Sequence, residues 1–370
     1  MEFKIAVLPG DGIGPEVIEQ GIKVLNAISE RFGHAFQFSY ADVGATAIDK
    51  TGNPLPEETL DACIQSDAVL FGAIGHPKYD NDPSAKVRPE QGLLGLRKSL
   101  GLFCNIRPVT IFRNLVHLSP VKNEYLNDVD FVIYRELIGG IYFGEKGRSE
   151  DGHSAYDTCT YNKSEIIRIG KLAFDHASRR KKKLTLVDKA NVLETSRLWR
   201  ETIQQLAWEY PDVAVNYLFI DNAAMQMILN PVQFDVILTE NMFGDILSDE
   251  SSVLAGSLGL VPSASLGEKT SMFEPIHGSY PQATGKDIAN PIGTVLSVAM
   301  MLDFLKLNQE ANTIIKAVTR LLKAGIGTPD LKVKNTYTCS KVGDVLEALI
   351  VDKDQKMNYK KFEEGSSTII

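Results

Sequence analysis

Short, continuous apolar runs alternate with longer stretches in which apolar residues recur every three to four positions. The runs have the length of buried strands, and the longer stretches read as helices with one buried face. Strands are predicted at 4–8, 36–43, 68–74, 184–187, 214–220 and 234–239. Helices are predicted at 17–28, 56–66, 90–100, 163–180, 196–210, 223–229 and from 291 onward, and the stretch that begins after Asn241 also reads as helix. Strands that are apolar throughout and alternate with helices describe an α/β chain with a mostly parallel sheet, buried on both faces. Between these elements lie a Gly/Pro/Asp-rich loop at 75–89, a polar excursion at 144–160 that reads as an arm able to pair with another subunit, and loops at 263–267 and 273–291. A loop as long as the last is usually functional. Beyond about residue 352 the chain turns polar and is expected to fray.

In such sheets ligands bind beyond the C-terminal strand ends, and several charged residues fall there. Asp245 and Asp249 are four apart in a helical stretch and so share one face. Two interpretations fit them. They are a solvated acidic helix start, or they share a divalent cation, and all-oxygen donors with no Cys or His nearby suit Mg²⁺ or Mn²⁺. Lys189 follows the strand at 184–187, where it is either a wet strand end or a base with a lowered pKa. Asp221 follows the strand at 214–220. Convergence of Lys189, Asp221 and the aspartate pair at strand ends favours the metal interpretation, with Asp221 as a third carboxylate ligand. Arg97, Arg107 and Arg135 each sit beside apolar residues. Singly each fits a surface ion pair, but together they suggest a clamp for a dicarboxylate, since guanidinium forks match carboxylates bidentately.

The turn Gly10-Asp11-Gly12-Ile13-Gly14 resembles a dinucleotide fingerprint, but its spacing is G-x-G-x-G and no acidic residue closes a second strand at the usual distance. A tight strand-to-helix turn is the better interpretation, so a true Rossmann domain is not expected.

Composition narrows the classes. The chain has 370 residues, room for two domains, and a net charge of −8. That charge argues against a general affinity for nucleic acid, and the basic run Arg179 to Lys183 reads as a helix C-terminus and solvated turn. Four dispersed cysteines form no CxxC, which disfavours a disulfide framework or zinc site. No signal-peptide core or membrane-length apolar stretch is evident. A reduced, soluble, cytoplasmic protein is expected.

Several stretches together carry a family resemblance: GDGIGPE from Gly10, LLGLRKSLGLFCNIRP from Leu93, RELIGGIYFG from Arg135, VDKANVLE from Val187, NMFGDILSDESSVLAGSLG from Asn241, then FEPIHGS and GKDIANP. Across nearly its whole length the chain resembles the isocitrate/isopropylmalate dehydrogenase family of decarboxylating β-hydroxyacid dehydrogenases. The resemblance implies that family's two-domain α/β fold with a large twisted, mostly parallel sheet. It implies a terminal, cofactor-side domain of 1–103 plus 256–370, and a central domain of 104–255 holding the metal ligands, the dimer interface and the arm.

It also implies roles. Arg97, Arg107 and Arg135 correspond to the carboxylate clamp, Asp221, Asp245 and Asp249 to the Mg²⁺/Mn²⁺ ligands, and Lys189 and Tyr142 to the catalytic acid/base pair. The loops at 77–90 and 278–290, with His277, correspond to an NAD site, including Pro77, Lys78, Glu90, Gly278, Ser279, Gln282, Gly285 and Asn290. Isocitrate enzymes carry a polar serine and asparagine where this chain has Leu93 and Leu94. Apolar side chains there suit an isopropyl group, and Glu90 beside them would repel a third carboxylate. The implied reaction is oxidation and decarboxylation of (2R,3S)-3-isopropylmalate to 4-methyl-2-oxopentanoate, a step of leucine biosynthesis. The rival substrates are isocitrate, homoisocitrate and tartrate. Gln282 departs from the pattern, because NAD-using members carry an Asp at that place; without its charge, repulsion of a 2′-phosphate is weaker. Active sites in the family borrow the Lys189 and Asp221 equivalents from a second subunit, so a homodimer is implied.

Overall fold

A computed structural model describes residues 1–80 and 85–352. The expected fraying of the tail, and part of the loop at 77–90, lie outside the described residues.

The strands are β1 (Glu2–Gly10), β2 (Ala35–Tyr40), β3 (Ala68–Ala73), β4 (Leu102–Thr110), β5 (Asp130–Glu136), β6 (Lys146–Arg148), β7 (Ala155–Asp157), β8 (Lys183–Asp188), β9 (Ala214–Phe219), β10 (Val236–Thr239), β11 (Pro262–Gly267), β12 (Ser271–Pro275), β13 (Ile326–Gly327) and β14 (Asn335–Thr336). The helices are α1 (Gly14–Phe32), α2 (Ala45–Thr51), α3 (Glu57–Ile64), α4 (Pro77–Asp80), α5 (Pro89–Ser99), α6 (Lys163–Arg179), α7 (Glu194–Leu206), α8 (Ile220–Leu229), α9 (Asn241–Ser252), α10 (Ile292–Phe304), α11 (Asn308–Lys323) and α12 (Cys339–Val351).

The chain divides into two compact units, Met1–Leu94 with the described residues from Phe273 onward, and Gly95–Met272. The boundaries thus fall inside α5 and β12, away from the expected 103/104 and 255/256. The reason is pairing. β11 is antiparallel to β4, and β4 to β5, so those ladders hold β4 and β11 in the central unit.

In the first unit the strand order is β2-β1-β3-β12, with β1 parallel to both β2 and β3. β3 is apolar and wholly buried, as a strand covered on both faces requires. α1 begins with Pro15 in its first turn, where proline's missing N–H costs nothing, and ends at Gly33 in the left-handed region.

In the second unit the order is β11-β4-β5-β10-β8-β9. β5, β10, β8 and β9 are parallel neighbours. Their inner faces and α6 and α7 enclose a core around Phe174, Trp199 and Leu186. α6 opens on a capping box in which Asn162 and Glu165 satisfy each other's backbone N–H. Arg179 ends α6 and Arg180 pairs with buried Asp235, so the basic run is a helix end, as its composition predicted. The polar excursion at 144–160 contains the antiparallel β6–β7 hairpin.

One predicted loop, and the start of another, are strands. Residues 263–267 lie in β11, and 273–275 belong to β12. Buried Ser263 and Ser265 made β11 look like a loop, but Asn105 Nδ2 lies 2.9 and 3.1 Å from their hydroxyls and satisfies them inside the fold. Among the described residues no helix is long and apolar enough to cross a membrane.

Candidate functional site

The order β5-β10-β8-β9 places four strand ends side by side. β5 ends in Arg135-Glu136, β10 delivers Glu240 and then α9 with Asp245 and Asp249, β8 delivers Lys189, and β9 delivers α8 with Asp221. Neighbouring strands lie about 4.8 Å apart, so residues far apart in sequence become neighbours here.

Arg135 is 4% exposed. Its Nη1 donates to Asp245 Oδ1 at 2.5 Å, while Nε and Nη2 donate to Asn241 Oδ1 at 3.1 and 2.9 Å. Burial pushes Arg135 down to about 10; Asp245 opposes this, and the charges of Arg107 and Arg97 add to it. Arg107 and Arg97 therefore lie within electrostatic reach of Arg135. Arg107 donates to Ser248 Oγ at 2.7 Å and Asp249 Oδ1 at 2.8 Å. Tyr142 Oη donates to Asp245 Oδ2 at 2.9 Å. Burial, and then this hydrogen bond, raise the phenol's pKa, which keeps it protonated. Gly244 is required beside Arg135, since a Cβ there would lie 2.5 Å from Arg135 Cγ.

Asp245 and Asp249 each face a guanidinium, so the like charges one turn apart are balanced by Arg135 and Arg107. Asp221 stands elsewhere. It accepts a 2.8 Å bond from Lys189 Nζ, which depresses its pKa. Among the described residues no group of three His, Cys, Asp or Glu side chains is poised around one point within the chain. A single chain thus brings Asp245 and Asp249 together but leaves Asp221 with Lys189.

Lys189 is held by its surroundings. Its N–H donates to Ser196 Oγ at 3.0 Å, and its ammonium lies 5.8 Å from the Phe219 ring centre. Preceding it, buried Asp188 receives both Nε and Nη2 of Arg200 at 2.8 Å, a bidentate pair that locks the strand end.

Glu90, Leu93, Leu94 and Arg97 recur at helical spacing along α5 and share one face. Leu94 is 46% exposed.

In the first unit the predicted cofactor residues line up differently. Pro77 and Lys78 are on α4, and Lys78 pairs with Asp49. His277 is half-buried, its Nδ1 lies 3.0 Å from the Gly278 carbonyl, and burial lowers its pKa. Its Nε2 has no partner among the described residues. Gln282 is exposed in the turn Pro281–Ala283, while Asn290 Nδ2 donates to Asp330 at 3.0 Å and its Oδ1 accepts from Ile292 N–H at 3.1 Å. Ser279 is buried and its carbonyl accepts from Ile13 N–H at 2.8 Å. Gly285 N–H donates to Glu16 Oε1 at 2.5 Å.

Sequence reasoning missed Asp11, Asp188, Glu136, Tyr161 and Asn241. Asp11 is 3% exposed, and its carboxylate accepts from Ala45, Thr46 and Gly75 N–H at 2.9 to 3.0 Å. Asp188 and Asn241 stand at strand ends like the residues that were found, and that position was the available signal.

The fold and these strand-end charges define an α/β enzyme built to take an anionic substrate. The family model described as isocitrate/isopropylmalate dehydrogenase matches residues 4–346. A 3-isopropylmalate dehydrogenase of Bacteroides fragilis (strain YCH46) is 57% identical over 334 residues, covering 90% of this chain and 94% of its own. One from Bacillus subtilis (strain 168) is 49% identical over 365 residues, covering 97% and 100%. The solved isocitrate dehydrogenase of Methylococcus capsulatus superposes with a TM-score of 0.83 at 33% identity, covering 94% of this chain and 99% of its own. The chain belongs to the isocitrate/isopropylmalate dehydrogenase family, and it is an oxidoreductase of the dehydrogenase class.

Proposed function

We propose that this chain catalyses the NAD-dependent oxidative decarboxylation of (2R,3S)-3-isopropylmalate to 4-methyl-2-oxopentanoate in leucine biosynthesis. The placing of Arg135 beside the Tyr142–Asp245 pair, with Arg107 and Arg97 close enough for their charges to act on it, supports this assignment, because guanidinium forks match carboxylates. Curated relatives of high coverage bear the matching activity in their names.

The donors fit a hard cation: Asp245 and Asp249 offer carboxylate oxygens one turn apart, with no sulfur or imidazole. They would hold Mg²⁺ or Mn²⁺, and Asp221 of a second copy would complete the set. That makes a homodimer with shared sites part of the proposal, with the β6–β7 arm as a pairing element. A bound cation would supply positive charge that favours the deprotonated C2 oxygen. The unpartnered Nε2 of His277 and the Gly278 and Gly285 positions, around which a Cβ would meet nothing within 4 Å, fit a dinucleotide. NAD would accept the hydride from C2.

The chain's own residues do the rest. The three arginines bind and orient the two carboxylates. Lys189, directly or through water, takes the C2 hydroxyl proton. Tyr142, kept protonated by burial and Asp245, gives a proton to the carbon that loses CO₂. Leu93 and Leu94 receive the isopropyl group and leave a third carboxylate without a hydrogen-bond partner. The protein acts in the cytoplasm.

Initial rates with 3-isopropylmalate, isocitrate, D-malate and tartrate, each with NAD and NADP, with and without EDTA, test this. The expected outcome is metal-dependent turnover that prefers 3-isopropylmalate and NAD. Preference for isocitrate overturns the substrate, and EDTA-resistant turnover overturns the cation site.

A further inference from the structure

Asn241 opens α9 two residues after β10 ends and is 1% exposed. Both ends of its amide are engaged. Oδ1 accepts from Arg135 Nε and Nη2, and Nδ2 donates to the Gly139 carbonyl at 3.1 Å. Its backbone N–H donates to Tyr161 Oη at 3.0 Å. Gly139 immediately precedes the turn Gly140–Tyr142. One side chain therefore joins the arginine nearest the aspartate pair to the turn that carries the tyrosine.

The surroundings fix that turn from below. Glu136 accepts from the N–H groups of Ile138 and Gly139 at 3.1 and 2.8 Å. The Tyr161 side chain lies so close to Gly139 and Gly140 that a Cβ would come within 2.7 Å of its ring at the first and 2.3 Å of its hydroxyl oxygen at the second. Tyr142 then reaches Asp245, the same carboxylate that Arg135 holds. Arg135, Asn241, Gly139, Tyr142 and Asp245 form a closed ring of contacts, and Asn241 is the member that joins the β5 side chain to the turn.

We propose that Asn241 is a positioning residue that sets the Arg135 guanidinium and the Tyr142 turn in one register, so that carboxylate binding and proton delivery act on the same substrate. This rests on the roles given above to Arg135 and Tyr142. An amide suits the task because it accepts on one side and donates on the other. An aspartate accepts but cannot donate, so it keeps the Arg135 bonds and breaks the one to Gly139. An alanine breaks both.

The experiment compares wild type, Asn241→Asp and Asn241→Ala as intact enzyme with 3-isopropylmalate, NAD and Mg²⁺, and follows NADH binding separately by fluorescence titration. A misplacement of about 1 Å at a reacting group costs about 100-fold. Asn241→Asp is expected to lower kcat about 10- to 100-fold with KM for 3-isopropylmalate within about threefold of wild type. Asn241→Ala is expected to lower kcat similarly and also to raise that KM about 10-fold. NADH affinity stays within about twofold in both, because the loop carrying His277 and Asn290 belongs to the other unit. Wild-type kcat in Asn241→Asp overturns the proposal, as does NADH affinity that falls in parallel with substrate affinity. If Asn241→Ala does not fold, the isosteric aspartate variant still decides. Arg135→Lys and Tyr142→Phe serve as controls. Unchanged KM in the first or unchanged kcat in the second overturns the underlying roles, and the Asn241 proposal with them.

Discussion

The two units build their candidate sites from different materials. The second unit uses charged side chains: Arg135, Lys189 and Asp221 stand at or just beyond strand ends, Arg107 lies within β4, Asp245 and Asp249 lie on α9, and the six form three ion pairs. The first unit uses backbone. Its loop at 277–290 is held by the Ser279 carbonyl on Ile13 N–H and the Gly285 N–H on Glu16, and it offers open glycines rather than charge. A site made of charges tolerates no neutralisation, whereas a site made of backbone depends on whatever fixes the loop. In the first unit that fixture is the turn at residues 10–14, which Asp11 ties to Ala45, Thr46 and Gly75 and in which a Cβ at Gly12 would lie only 2.0 Å from the Ser279 carbonyl oxygen.

Neutralising one charge in the second unit should have the largest effect. Asp245→Asn is expected to lower kcat by at least about 100-fold while the circular-dichroism spectrum and NADH affinity stay as in wild type. Activity within about threefold of wild type would show that this site does not depend on its charges. In the first unit, Asp11→Ala removes a buried acceptor from three backbone donors. A loss of about 3 kcal/mol in denaturant unfolding is expected, with a raised KM for NAD and little change for 3-isopropylmalate. Equal changes in both KM values would erase the contrast between the units.

Charge in the second unit also reaches below the site. Glu240 is buried with one carboxylate oxygen unpartnered; burial, then Glu136 and Asp188, push it up to about 7 from an ordinary 4.5. The folded chain therefore keeps a proton that the unfolded chain has already lost. Glu240 adds nothing to or from stability below about pH 4.5, and it destabilises progressively as pH rises to about 7. Glu240→Gln removes that slope. Thermal unfolding at a series of pH values should give matching Tm near pH 4.5 and a variant more stable by about 3 kcal/mol above pH 7. A constant difference across the range would refute the assigned cause. The smallest expected effect comes from adding charge where the first unit lacks it. Gln282→Asp should raise the preference for NAD over NADP by about tenfold, read from kcat/KM ratios. No change would place Gln282 away from the ribose.

Much of the second unit's site was legible because charge and spacing are local properties. Asp245 and Asp249 share a helix face by their separation alone, and Lys189 and Asp221 announce themselves where apolar runs stop. For Asn241 and Asp188 the strand-end position was the only signal, and their roles were not legible, because those depend on partners, Arg135 and Arg200, that come from 106 and 12 residues away. β11 was misjudged for the same reason. Its serines read as loop until Asn105, contributed by another strand, satisfied them.

The sequence by itself determined the alternation of strand and helix, and hence the α/β class, because hydrophobic periodicity sets which face of each element is buried. It also determined which residues could carry charge chemistry. Tertiary structure alone decided the strand order β5-β10-β8-β9, which pairs Lys189 with Asp221 and sets Arg135 against α9. It also decided that the glycine turn at residues 10–14 serves as a scaffold for a distant loop. Strand order is a long-range pairing choice, and no local pattern along the chain encodes it.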